Sequence, residues 1–75
     1  MNERANAVAF GQRLKRLRLA RGLSRGHVSR YLGCSDRAVA WWEQGKRVPS
    51  AYWLARLAEL YRTSMDELWD GRRAA

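Results

Sequence analysis

Apolar residues along this chain recur at helical spacing and are interrupted at short, regular intervals by glycine and serine. Phe10, Leu14 and Leu17 stand at i, i+4 and i+7, which places them on one face of a helix. Leu54, Leu57, Ala58 and Tyr61 make a second stripe, widened by Trp53 and Leu60. Gly22, Gly33, Gly45 and Gly71 each follow a periodic segment, as a left-handed C′ residue does, while Ser24, Ser35, Ser50 and Ser64 each precede one, as an N-cap does. The punctuation predicts five helices, at roughly 6–21, 25–32, 36–44, 51–61 and 65–70. No alternating Val/Ile/Thr-rich run predicts a strand, and the only proline is Pro49. The chain reads as all-α.

Local chemistry at the predicted helix starts strengthens this reading. Ser64-Met65-Asp66-Glu67 has the form of a capping box, in which Ser64 and Glu67 satisfy each other's orphan amides. Leu23 and Val28 flank Ser24 as a hydrophobic staple, and Cys34 and Val39 flank Ser35 in the same way. Two staples joined by a short connection fix the angle between the second and third helices. Helices that cross at roughly 90–120° need a small residue at their contact and a glycine in their turn. Ser29 and Gly33 supply them, with Cys34, Val39 and Trp42 anchoring the third helix.

Composition narrows the class. Seventy-five residues make one small domain, and a chain of this size buries only roughly 60% of its unfolded surface. At 47% hydrophobic residues it is too apolar for a disordered tail. Fifteen Lys and Arg against seven Asp and Glu leave a net charge of +8, and thirteen of the cations are Arg, whose planar fork suits phosphate and guanine. Nucleic acid, an anionic membrane or an acidic protein are the partners such a charge implies. Cys34 is the only cysteine, so no intrachain disulfide forms and a cytoplasmic location is expected. No signal peptide is expected, and no apolar run in the sequence is long enough for a bilayer. Cys34 and His27 alone cannot build a zinc site; they read as a core thiol and a surface histidine, and neither metal nor cofactor is expected. No nucleophile–base pair, acid cluster or phosphate-binding glycine loop suggests an enzyme. Residues 1–5 are expected to be a flexible N-terminus, 6–71 the domain, and 72–75 a flexible basic tail.

Val28, Ser29, Leu32, Gly33, Cys34, Val39 and Trp42 together resemble the helix-turn-helix of the lambda-repressor and Cro (XRE) family. The resemblance runs from about Phe10 to Gly71. Phe10-Gly11-Gln12-Arg13-Leu14 through Arg18, then Arg21-Gly22-Leu23-Ser24, is similar to the family's opening helix and its exit. Trp42-Glu43-Gln44-Gly45-Lys46 and Val48-Pro49-Ser50 resemble the segment leaving the recognition helix, and Ser64 to Leu68 the short last helix. Four positions depart from the pattern: Arg25 for a common glutamine, Ser29 for alanine, Gly26 within the second helix, and Arg62 for a frequent glycine. The resemblance implies a compact five-helix DNA-binding domain whose helices 2 and 3 form the helix-turn-helix. It also implies a sequence-specific regulator of transcription, a repressor, that reads duplex DNA through the major groove.

By spacing, Val39, Trp42 and Glu43 of the third helix point inward, and Asp36, Arg37, Ala40, Trp41 and Gln44 point outward. Carried over from the family, the base-reading positions are Asp36, Arg37, Ala40 and Trp41. Arg37 can bond to guanine O6 and N7 or sit on a phosphate. Asp36 can accept from cytosine N4 or complement the helix N-terminus. Trp41 can meet thymine methyls and sugars, or pack on a partner. Ser24 and Arg25 at the start of the second helix, and Gln44, Lys46 and Arg47 beyond the third, are the expected phosphate contacts. The remaining arginines and Lys15 of the first helix (Arg13, Arg16, Arg21) read as solvated cations. The resemblance further places Arg18 opposite Glu43 as a partly buried ion pair joining the first and third helices.

A homodimer on DNA is expected, joined near the fifth helix through Met65 and Trp69 with Tyr61, although Tyr61 can equally be core and Trp69 can fold back on the first helix. The alternative function is an antitoxin-like or adaptor module that binds a protein partner through exposed aromatics such as Trp41 and Trp69.

Overall fold

The computed structural model describes residues 3–70; the expected C′ residue Gly71 and the basic tail 72–75 lie outside them. Five helices follow one another: α1 (Glu3–Ala20), α2 (Arg25–Leu32), α3 (Asp36–Gln44), α4 (Ala51–Leu60) and α5 (Met65–Asp70). α1 starts three residues before the expected position, because Glu3, Ala5, Ala7 and Ala9 favour helix and no breaker precedes the apolar line.

The expected caps are mostly made. Ser24 Oγ accepts the His27 amide at 3.0 Å, Ser35 Oγ the Ala38 amide at 3.1 Å and Ser64 Oγ the Glu67 amide at 2.9 Å. Ser50 caps α4 by its extended backbone, with no side-chain bond. The capping box is half formed. The Glu67 carboxylate takes the Thr63 hydroxyl at 2.6 Å where the sequence predicts a bond back to the Ser64 amide.

α4 closes in a Schellman motif, with the Thr63 amide on the Ala58 carbonyl at 3.0 Å and the Arg62 amide on that of Glu59 at 3.3 Å. The residue in the left-handed conformation there is Arg62, at φ 54°. The helix therefore exits as it would with the family's glycine, at the steric cost of a Cβ in that region.

One core joins all five helices: Phe10 and Leu14 from α1, Val28 and Leu32 from α2, Val39 and Trp42 from α3, Leu57 and Ala58 from α4, Tyr61, and Leu68 from α5. α1 makes its largest contact with α3, and the two backbones nearly touch. A Cβ on Gly11 would collide with the carbonyl oxygen of Trp42 and lie 2.6 Å from that of Glu43. Gly45, at φ 75°, ends α3 against α1 so closely that a Cβ would lie 2.8 Å from the Val8 Cα. No larger residue fits at either point, so α3 has a fixed height and tilt on α1.

Two cations, Arg13 in α1 and Arg21 just beyond its end, are more than solvated charge. Arg13 donates to the carbonyls of Leu68 (3.0 Å) and Trp69 (2.8 Å), near the C-terminal end of α5. Arg21 donates to the Tyr61 carbonyl at 2.8 Å, at the end of α4. Each neutralises unpaired carbonyls at the negative end of a helix dipole, and each fastens a C-terminal helix to α1.

Candidate nucleic-acid interface

The recognition face is made by what holds α3 from behind. Val39, Trp42 and Glu43 are buried. Glu43 is the unusual member, a carboxylate with 2% of its side chain exposed. Arg18 meets it with both arms of its fork, Nε to Oε2 at 2.7 Å and Nη2 to Oε1 at 3.0 Å, and donates Nη1 to the Leu23 carbonyl at 2.9 Å. Its hydrogen bond to Glu43 holds the Arg18 guanidinium above its ordinary pKa despite burial. Arg25 adds a third bond, Nε to Oε1 at 3.2 Å. α1, the start of α2 and α3 thus share one charged knot, in which bidentate geometry fixes orientation as well as distance.

Arg25 therefore has one nitrogen directed inward, although its side chain remains 41% exposed. It stands beside Ser24 at the amino end of α2, where the Ser24 hydroxyl is engaged by the His27 amide.

Across the turn between α2 and α3, the hydroxyl of buried Ser29 lies within bonding reach of the Gly26 carbonyl (3.0 Å) and bonds the Asp36 carboxylate. Asp36 thus has Oδ1 committed to α2 while it sits in the first turn of α3. The link depends on serine at this position; alanine could not make it.

Of the outward positions, Asp36, Arg37 and Gln44 are exposed and Ala40 and Trp41 half-buried. Lys46 and Arg47 follow, both exposed. The Trp41 carbonyl accepts the Lys46 amide at 2.9 Å and the Arg47 amide at 3.4 Å, folding this basic segment back under α3. Over the Trp41 indole lie two guanidiniums, that of Arg47 4.6 Å and that of Arg37 5.8 Å from the ring centroid. The fold thereby gathers Arg37, Ala40, Trp41, Gln44, Lys46 and Arg47 at and beyond one face of α3, with Ser24 and Arg25 at the α2 end.

The fifth-helix surface is different from the one expected. Tyr61 is 3% exposed and belongs to the core, where burial pushes its hydroxyl pKa up to about 12; it is not a surface residue for a partner. Trp69 folds onto α1, its ring 5.0 Å from that of Phe10, because the Arg13 clamp draws the end of α5 inward. Met65 alone of the three is exposed. The exposed aromatics are instead Tyr31 and Tyr52, which flank the Arg56 guanidinium at 5.9 Å each.

Sequence reasoning missed Arg13, Arg21, Gly11 and the Ser29–Asp36 link. Arg13 carried a signal: it lies beside Leu14 at the edge of the apolar line, where a long side chain reaches a neighbouring helix. Cys34 is a half-buried thiol whose pKa burial raises. Among the described residues no cluster of His, Cys, Asp and Glu could hold a metal, and no helix is long and apolar enough to cross a membrane.

Comparison with known proteins bears on the family. The SPbeta prophage-derived uncharacterized HTH-type transcriptional regulator YonR of Bacillus subtilis (strain 168) is 32% identical over 65 residues, which cover 87% of this chain. The chain spans 60% of that relative's length. No solved structure matches it. Residues 9–69 match the helix-turn-helix domain family. That match takes in the buried line of α1, the Gly33 turn and the clamped α5, and the chain belongs to the XRE-like helix-turn-helix family.

Proposed function

We propose that the domain is a DNA-binding transcriptional regulator that lays α3 in the major groove of duplex DNA. The observation that carries the reading is the division of α3: a face locked to α1 by Glu43 and Gly11, and an opposite face bearing Arg37, Ala40, Trp41 and Gln44 beside Lys46 and Arg47. A helix held rigidly from behind presents its outward side chains at a fixed depth, which base reading requires. In this reading Arg37 addresses a guanine edge, and Ala40 leaves room for the groove wall or a thymine methyl. Asp36, steadied by Ser29, stands as a hydrogen-bond acceptor at the start of the helix. Ser24, Arg25, Gln44, Lys46 and Arg47 take phosphates on either side and position the helix without specifying sequence. The net charge of +8 supports the electrostatic part.

The regulator acts by occupying its site rather than by catalysis, and repression is the simplest outcome of occupancy. One domain offers few reading residues against very many competing sites, so we read it as half of a two-fold pair on half-sites roughly 34 Å apart. Exposed Met65 is what remains of the fifth-helix contact.

A salt titration on a selected duplex tests the function. With about four phosphates neutralised per subunit, log K falls against log salt with slope about −3 to −4 per subunit. Flat dependence, together with capture of a protein through the exposed Tyr31 and Tyr52, would favour the adaptor alternative.

A further inference from the structure

Trp41 occupies a singular place on the outward face. Its ring carries a cation from its own helix, Arg37 one turn earlier, and a cation from the segment beyond, Arg47. Its carbonyl also accepts the Arg47 amide, so Arg47 is tied to the same residue by backbone and by side chain. Two guanidiniums near one indole repel each other, and the attraction of each to the π system offsets that repulsion. A guanidinium drawn to a ring by its charge does not spend its five N–H donors there, and they can still bond a guanine edge or a phosphate.

We propose that Trp41 is a positioning residue that couples a base reader, Arg37, to a phosphate clamp, Arg47, so that the two engage DNA as one preorganised unit. The inference rests on the DNA-reading function above and gives Trp41 a role other than direct contact with thymine. Arginine is flexible, and a free arginine must be ordered when it binds; here the indole orders two of them beforehand. The arrangement also makes the two arginines interdependent: loosening one changes the charge over the ring that holds the other.

The test compares Trp41→Leu, which keeps apolar bulk and removes the π face, with Trp41→Phe, which keeps a ring. In the free protein, proton NMR should find the side-chain resonances of Arg37 and Arg47 shifted upfield by the indole. Trp41→Leu should return them to ordinary positions without changing helical content or melting. Ordinary positions in the parent overturn the proposal whatever the DNA results. In binding to a selected duplex, Arg37→Ala and Arg47→Ala should each cost about threefold less, or smaller still, in the Trp41→Leu background than in the parent, with Trp41→Phe intermediate. Additive costs, with the loss of preference at a base pair other than the one Arg37 reads, would show that Trp41 contacts DNA on its own account and overturn the coupling. A parent that keeps the upfield resonances but prefers no duplex sequence overturns the DNA-reading function, and the coupling role with it. The persisting ring shifts would then show that the function failed and the stacking did not.

Discussion

Removing Glu43 should destabilise the domain more than any other single change on α3 that creates no cavity. Its side chain is 2% exposed and that of Arg18 8%. Glu43→Ala deletes three charge-assisted bonds. Arg25, 41% exposed, can turn to water and loses little. Arg18 cannot: its guanidinium stays buried with only the Leu23 carbonyl as a partner. Breaking a buried pair from one side costs about 3–5 kcal/mol, chiefly through the charge left behind. A 75-residue domain, at roughly 0.05–0.15 kcal/mol per residue, holds about 4–11 kcal/mol in all, so Glu43→Ala approaches the unfolding limit. Urea melts of four proteins separate the causes. Glu43→Ala should fall by the full amount, Arg25→Ala by about 1 kcal/mol or less, and Arg18→Met with Glu43→Leu should recover much of the loss, since an apolar pair leaves no orphan charge. Glu43→Ala within about 1 kcal/mol of the parent, or a double variant no more stable than Glu43→Ala, would show that no orphaned charge is at stake.

Three further outcomes follow from the geometry. Gly11→Ala should cost about 1–3 kcal/mol by forcing α1 and α3 apart, and should weaken DNA binding beyond its effect on melting because α3 then tilts; an unchanged melt would contradict the close approach at Trp42 and Glu43. Arg62→Gly should stabilise by up to about 1 kcal/mol, the relief of a left-handed Cβ offset in part by a freer unfolded chain, and a lower melting temperature would count against the φ of 54°. Tyr61 ionises near pH 10 when unfolded and near 12 when folded, so its contribution is present below pH 10 and is lost as pH rises from 10 to 12. Chemical denaturation across that window should show the decline in the parent and a shallower one in Tyr61→Phe.

The sequence disclosed what depends on local chemistry. Serine and glycine set the ends of α2 and α3, and i, i+3, i+4 spacing sets Val39, Trp42 and Glu43 apart from the outward face. It was silent where long side chains cross between helices. Arg13 and Arg21 look like exposed charge until the ends of α5 and α4 are seen to lie within their reach. For the same reason Tyr61 and Trp69 stay open in the sequence between an interface and the core: six residues of α5 show i, i+3, i+4 spacing, but not that Arg13 holds the end of α5 with Trp69 against Phe10. Gly11 was invisible for another reason. A glycine at a helix crossing leaves no periodic mark, and only the distance to the Trp42 backbone shows its role. On the recognition face, the residue types were legible, but the placing of Arg47 over Trp41 beside Arg37 needed the turn after α3 to be in place.

The central claim is that the outward face of α3 reads base sequence, and the most direct measurement is selection of duplexes from a random pool by the parent, Arg37→Ala and Lys46→Ala side by side. The parent should select a defined consensus, Arg37→Ala should lose preference at one base pair with about 1–3 kcal/mol of specific affinity, and Lys46→Ala should keep the consensus with uniformly weaker binding. A parent that enriches no sequence, or two variants that weaken every sequence alike, would contradict it.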